Sequence, residues 1–323
     1  MIQTFSVKLL SAFFRLVRWP NLVFIALTQS LFYYCIILPS LPVDYYLLPH
    51  RLTQDIFLWI ITSSVLIAAG GYIINDYFDI NIDQVNKPGK MVVEKIINRR
   101  WAILLHFIFT TSGIVISFYV SLNSNKLIFL VNIISTLLLW FYSTTFKKKL
   151  LSGNIIISLL TAWTILVLFF AVNITNLIRL SYDSEVKTTI RHIFKYAILY
   201  AGFAFIISLI REVVKDIEDM EGDEKYDCKT MPIVWGIPAS KVFVAVWIIV
   251  LISALSIVQF YVLQLGWWLS SLYSILLIIW PLIWVLRKLY QAQVSKEYHQ
   301  LSNVIKLIML AGILSIVFVK KYS

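Results

Sequence analysis

Asn75-Asp76-Tyr77-Phe78-Asp79-Ile80-Asn81-Ile82-Asp83 is the stretch that decides how the rest of this chain is read. It follows a nearly uncharged apolar run over residues 56–74. Carboxylates placed directly after such a run are costly near hydrocarbon and point to a functional site. If the run continues as a helix, Asn75, Asp79 and Asp83 fall at i, i+4 and i+8, on one face. A second acidic group follows another apolar run far down the chain: Glu212, Asp216, Glu218, Asp219, Glu221, Asp223, Glu224 and Asp227. Asp219 and Asp223 repeat the i, i+4 spacing. With Glu94, the two groups hold 12 of the 17 acidic residues, so the acids are concentrated rather than spread.

Composition sets the class. A mean hydropathy of +0.83, with 60% hydrophobic and 14% charged residues, excludes a soluble globular domain. Several runs reach the roughly 20 residues needed to cross a bilayer. Each spanning segment must satisfy its own backbone, and continuous rather than alternating apolar runs select helices over a barrel. The expected spans are 20–39, 55–74, 101–120, 127–143, 154–173, 193–210, 242–262, 267–286 and 303–319. Residues 1–19 read as an amphipathic interfacial segment, with Phe5, Leu9, Phe13 and Leu16 on one side. No removable signal peptide is expected. Cys35 and Cys228 are expected to be free thiols.

Loop charge orients the chain. Nine spans place the N-terminus and loops 75–100, 144–153, 211–241 and 287–302 on one side. Those segments carry 19 Lys and Arg against seven on the other side, which puts them in the cytoplasm. Both acidic groups then emerge on the cytoplasmic face, after spans two and six. A separation of four spans suggests two four-helix halves, about 20–143 and 154–286, plus a ninth helix, within one transmembrane domain over 20–323. The net charge of +11 fits this topology and anionic phosphate partners, and no compact basic block suggests nucleic acid.

Paired carboxylates at a membrane surface repel one another unless a divalent cation lies between them. Carboxylate oxygen is a hard ligand suited to Mg²⁺, which is commonly held by one or two carboxylates plus substrate phosphates. Lys87, Lys90, Lys147, Lys148 and Lys229 lie near the acids in sequence and supply charge for a phosphate. A diphosphate clamped above an apolar interior suggests an attached lipid tail. Tyr72, Tyr77 and Phe78 are candidates to stabilise an allylic cation. Tyr77 and Phe78 fit equally well as interfacial aromatics.

These residues resemble those of the UbiA-type membrane prenyltransferases. NDYFDINID is similar to that family's NDxxDxxxD motif, and Asp219 and Asp223 match its second, DxxxD, motif within REVVKDIEDMEGDEKYDCKTMPIVWG. Arg18 and Asn21 before span one, and YSTTFKK with Tyr142 and Lys147 before Gly153-Asn154, match further. The resemblance covers nearly the whole chain. It implies nine transmembrane helices around a central cavity, with Mg²⁺ bridging both motifs to a prenyl diphosphate. It implies Asn75, Asp79, Asp83, Asp219 and Asp223 as the metal–diphosphate set, the four aspartates being catalytic. Asp216, one turn earlier, reads as a further ligand or a supporting group. Arg18, Asn21, Tyr142, Lys87, Lys147 and Lys229 become substrate-binding candidates, although the lysines also serve as topology determinants. Where the family often has N-R-P-x-R-P, this chain has Asn86-Lys87-Pro88-Gly89-Lys90-Met91, which keeps both charges without the Arg fork.

The wording K-D-I-E-D-M-E-G-D looks most like members that add a geranylgeranyl chain to geranylgeranylglyceryl phosphate. Members that prenylate aromatic quinone precursors or tetrapyrroles share it less closely. From another class, a cation-coupled transporter would place its acids at the bilayer midplane between broken helices. A phosphotransferase would carry one compact Gly-containing motif. Asp76 lies off the shared face and reads as structural, and the four histidines show no metal-ligand spacing.

Overall fold

The computed structural model describes residues 2–41, 51–89, 91–172 and 184–322, with side-chain detail from Lys8 and, after the last interruption, from Thr188. Lys90 lies outside the described residues, as does the side chain of Phe5. Among the described residues the chain is helical throughout, with a single isolated bridge between Val93 and Ile97.

The helices are α1 (Ile2–Leu16), α2 (Trp19–Phe32), α3 (Gln54–Phe78), α4 (Ile80–Asn86), α5 (Arg99–Asn123), α6 (Lys126–Thr144) and α7 (Ser152–Ala171). They continue as α8 (Ser184–Glu218), α9 (Met220–Lys225), α10 (Met231–Val234), α11 (Gly236–Gln264), α12 (Trp268–Ser274), α13 (Trp280–Gln291), α14 (Ser295–Leu314) and α15 (Ile316–Tyr322). A π-helical turn, Tyr33–Ile37, extends α2, and another, Ile275–Ile279, joins α12 to α13. Nine stretches among the described residues are long and apolar enough to cross a membrane. Each overlaps an expected span. The largest difference is at the sixth, where the helix runs past residue 210 to Glu218 and carries Glu212 and Asp216 with it. Apolarity marks where hydrocarbon ends, but a helix stops only where its backbone bonding stops.

Caps begin two of these helices. The Thr53 side chain accepts from the Ile56 N–H at 3.3 Å, and the Asn125 side chain accepts from the Leu127 N–H at 2.9 Å.

The chain divides into two compact units. The first comprises Met1–Ser30, Leu41–Lys147 and Leu166–His192. In it α3 packs closely on α5 and α6. In lipid, such packing relies on small residues and interhelical hydrogen bonds rather than on expulsion of water. A Cβ at Gly70 would sit 2.4 Å from Thr110 Oγ1, so only glycine permits this approach. The same crossing is tied by His106 Nδ1 at 2.9 Å from the Gly70 carbonyl and by Ser63 Oγ donating to the Gly113 carbonyl at 2.8 Å. Asn132 Nδ2 donates to Ser117 Oγ at 2.8 Å between α6 and α5. From α1, Ala12 and Leu16 are buried with Ile73 and Ile80, and Phe13 packs on that core. Leu9, expected on the same side, is exposed, as are Leu10 and Phe14.

The second unit comprises Leu31–Ser40, Lys148–Ile165 and Ile193–Ser323. Its core runs along α8, α11, α13 and α14, through Ile207, Val214, Ile248, Leu282 and Ile305. Tyr273 donates to the Ala311 carbonyl at 2.9 Å.

Candidate active site

The first acidic group lies where α3 gives way to α4. Asp79 stands at the junction with φ −85° and ψ 0°, so the helix is interrupted rather than continuous. The i→i+4 bonding nevertheless persists across it: Asp79 N–H donates to the Asn75 carbonyl at 2.9 Å and Asp83 N–H to the Asp79 carbonyl at 2.8 Å. Asn75, Asp79 and Asp83 thus keep the spacing expected from sequence across a break that composition did not signal.

Asn75 and Asp79 are both buried, and Asn75 Nδ2 donates to Asp79 Oδ2 at 2.6 Å. Lys147 Nζ forms an ion pair with the same oxygen. The Asn75 Oδ1 atom is buried with no hydrogen-bond partner among the described residues, a costly arrangement that a ligand or ion would relieve. Burial pushes the Asp83 carboxyl above its ordinary range; the Asp79 charge adds to this, and Lys147 and Lys87 oppose it. Arg18, expected as a substrate contact, is engaged differently. It has φ 50° at the corner between α1 and α2, donates to Asp76 Oδ1 at 2.6 Å, and lies 5.2 Å from the Tyr72 ring centre. Asp76, off the shared face, is the group that fixes this arginine. Phe78 packs edge-on against Trp140 at 5.9 Å, and Tyr77 packs on the core below. Asn21 and Tyr142 belong to this same unit.

The second acidic group repeats the local geometry. Asp219 stands between α8 and α9 with φ −92° and ψ 5°. Its N–H donates to the Lys215 carbonyl at 2.9 Å, and Asp223 N–H donates to the Asp219 carbonyl at 3.2 Å. Asp223 is buried, and its carbonyl receives the N–H of Cys228 at 3.0 Å, which closes the following turn. One turn before Asp219, Asp216 accepts from Asn154 Nδ2 at 2.7 Å. Lys229 is exposed, and its backbone N–H is anchored on the Lys148 carbonyl at 2.8 Å. Two breaks of the same shape at matching aspartates give the halves a likeness that their side chains scarcely show.

All the candidate ligands are oxygen donors, the type Mg²⁺ prefers. Among the described residues, no group of three or more His, Cys, Asp or Glu is gathered to hold a metal by itself. That suits an ion held by few carboxylates and completed by substrate phosphate. The unpaired Asn75 oxygen beside Asp79 fits such a ligand set.

The fold and site define a polytopic helical membrane protein with paired acidic junctions and adjoining cations suited to a phosphorylated ligand. Residues 16–306 match the model of the UbiA prenyltransferase family, and the chain belongs to that family. It is an integral membrane prenyltransferase. The digeranylgeranylglyceryl phosphate synthase of Methanosphaera stadtmanae is 30% identical over 254 residues, 78% of this chain and 83% of that protein. That of Sulfurisphaera tokodaii is 30% identical over 250 residues, 77% of this chain and 78% of that one. In fold, the chain resembles a UbiA homologue from Aeropyrum pernix K1, with a TM-score of 0.61 and 17% identity over 90% of this chain and 96% of that one. It also resembles a UbiA homologue from Archaeoglobus fulgidus bound to DMAPP and Mg²⁺, with a TM-score of 0.55 and 14% identity over 94% and 98% of the two chains.

The i, i+4 bonding of Asn75, Asp79 and Asp83, and of Asp219 and Asp223, was legible from spacing. The Arg18–Asp76 pair was not, because its members lie 58 residues apart. Nor were the partners of Glu218, which come from α14.

Proposed function

We propose that this prenyltransferase moves a geranylgeranyl group from its diphosphate to geranylgeranylglyceryl phosphate, with Mg²⁺ as cofactor. The relatives named digeranylgeranylglyceryl phosphate synthases support this product. The observation that carries the site is the buried Asn75–Asp79 pair, met by the part-exposed Lys147, with an amide oxygen that has no partner among the described residues.

In this reading Asn75, Asp79 and Asp83 are metal ligands, as are Asp216, Asp219 and Asp223. Bound Mg²⁺ supplies charge that stabilises the departing diphosphate. Lys147, Lys87 and Lys229 bind phosphate oxygens, and Asn21 and Tyr142 orient the substrate. Arg18 acts through Asp76, setting the junction from which Asp79 projects. The C1–O bond of the prenyl diphosphate breaks with its electron pair leaving on the diphosphate. The acceptor hydroxyl oxygen bonds to C1, and its proton passes to a phosphate oxygen or to water. The Lys/Arg asymmetry of the loops supports a cytoplasmic position for both junctions.

The test is purified protein in detergent or vesicles with labelled geranylgeranyl diphosphate and Mg²⁺. Geranylgeranylglyceryl phosphate, an aromatic quinone precursor and a tetrapyrrole are offered separately. Labelled digeranylgeranylglyceryl phosphate, lost with a chelator, is the expected product. Transfer only to the aromatic or tetrapyrrole acceptor overturns the lipid assignment. No Mg²⁺-dependent transfer to any acceptor overturns the enzymatic reading of the site.

A further inference from the structure

A clamp from α14 holds the second junction from behind. Ser295 and His299 lie one turn apart on α14, and both reach Glu218, the last residue of α8. Ser295 Oγ donates to the Glu218 carbonyl at 3.0 Å. His299 Nδ1 lies 2.7 Å from Glu218 Oε1, which requires the proton on that nitrogen if the carboxylate is ionised. Glu218 is therefore fixed by its backbone and by its side chain at once. Its carbonyl is one of those a helix end leaves without an internal partner.

The anchor is itself firmly built. Glu297 accepts from the N–H groups of Gln293 at 2.7 Å and Val294 at 3.2 Å, which caps the start of α14. The Tyr298 hydroxyl donates to the Ala292 carbonyl at 2.9 Å, and Lys241 of α11 reaches the same carbonyl. The corner between α13 and α14 is thus tied to α11 independently of its contact with Glu218. Asp219, the next residue, is where the helix breaks and turns into α9 and Asp223.

We infer that Ser295 and His299 are positioning residues for the second aspartate pair: by holding Glu218 at two points they fix the break at Asp219 and the direction of the turn that carries Asp223. The inference rests on the proposed role of those aspartates. Mg²⁺ demands near-ideal octahedral geometry, so ligands on a loose turn bind it poorly even when their identity is unchanged.

The test compares S295A and H299A with S295T and H299N, which keep a donor at each point. Each alanine variant removes one bond and leaves the other to hold the junction. Hydrogen–deuterium exchange at residues 219–228 is expected to quicken about threefold to fivefold in S295A, the size of one lost neutral bond, and about tenfold in H299A, the size of one lost bond to a charged group. The Mg²⁺ concentration for half-maximal transfer is expected to rise about tenfold, with kcat at saturating Mg²⁺ nearly kept. The conservative variants should stay near wild type in both readouts. Unchanged exchange in the alanine variants overturns the clamp. Faster exchange with an unchanged Mg²⁺ midpoint overturns its positioning role. If the wild type shows no transfer at all, the proposed function fails, and exchange still decides the clamp.

Discussion

Lys147 Nζ and Asp79 Oδ2 form an ion pair at the C-terminal end of α3, on the same carboxylate oxygen that accepts the Asn75 amide. The lysine side chain is 25% exposed and the aspartate 5%, so the charge of a nearly buried carboxylate is met from the solvent side. In the proposed reaction an incoming diphosphate would compete with Asp79 for the same ammonium.

Asp79→Asn keeps size and folding but removes the charge on which this arrangement depends. Transfer is expected to fall about 10²–10³-fold in kcat, the scale of removing one electrostatic stabiliser of a leaving group. Lys147→Met is expected to raise KM for the prenyl diphosphate about tenfold or more, as for losing a charge-assisted contact. Steady-state kinetics on protein that elutes as wild type separates the two. Wild-type KM in Lys147→Met removes the lysine from substrate binding.

Arg18 and Asp76 are expected to act as a pair. Their side chains are 36% and 19% exposed, so the bond is screened and its coupling energy is expected near 1 kcal/mol. Arg18→Ala, Asp76→Ala and the double variant, followed by thermal unfolding and by turnover, measure that coupling. If the two losses simply add, Arg18 works independently of Asp76, and direct contact with substrate becomes the better account of its role.

Much of this was legible in the chain itself. Carboxylates after apolar runs, and the i, i+4 repeat at Asn75–Asp79–Asp83 and Asp219–Asp223, located both junctions because membrane burial makes unpaired acids expensive. Lys/Arg asymmetry and run length gave nine spans because the bilayer imposes both. What escaped was local geometry and distant pairing. Nothing in the residue types at Asp79 or Asp219 distinguishes a helix break from a helix continuing, since the amide bonding is kept. The Arg18–Asp76 and His299–Glu218 pairs join residues 58 and 81 positions apart, and periodicity within one element carries no information at that range.

Asp83 gives a pH signature. Its carboxyl titrates above the ordinary value in the folded protein, chiefly through burial and then through the Asp79 charge. Between the unfolded and folded pKa values the folded state binds more protons, so stability falls as pH rises through that window. The window opens just above the ordinary value of 3.8. Asp83→Asn removes the cost of the buried charge. It is expected to raise Tm at neutral pH and to flatten the fall of Tm with pH. The same substitution is expected to abolish transfer. A Tm–pH curve for Asp83→Asn parallel to wild type would mean that the fold does not raise the pKa of this carboxyl.

Gly70→Ala tests the crossing that supports the first junction. The added Cβ would lie 2.4 Å from Thr110 Oγ1 and 3.4 Å from the His106 carbonyl, one of them a side-chain atom and the other backbone. Thr110 has an alternative rotamer, but its hydroxyl also sits 3.5 Å from His106 Nδ1, which in turn contacts the Gly70 carbonyl at 2.9 Å. Relief at one point therefore disturbs the next, and α3 must move away from α5. Overpacking of this kind costs about 1–3 kcal/mol. Gly70→Ala is expected to lower Tm accordingly and to reduce kcat by shifting the α3 terminus that carries Asn75 and Asp79. Gly70→Ala combined with Thr110→Ser keeps the hydroxyl and removes the methyl, so it should recover little. Gly70→Ala with Thr110→Ala removes the clashing oxygen and should recover most of the lost Tm. Full recovery by both combinations would show that bulk at residue 110, rather than the position of its oxygen, limits how closely the two helices approach.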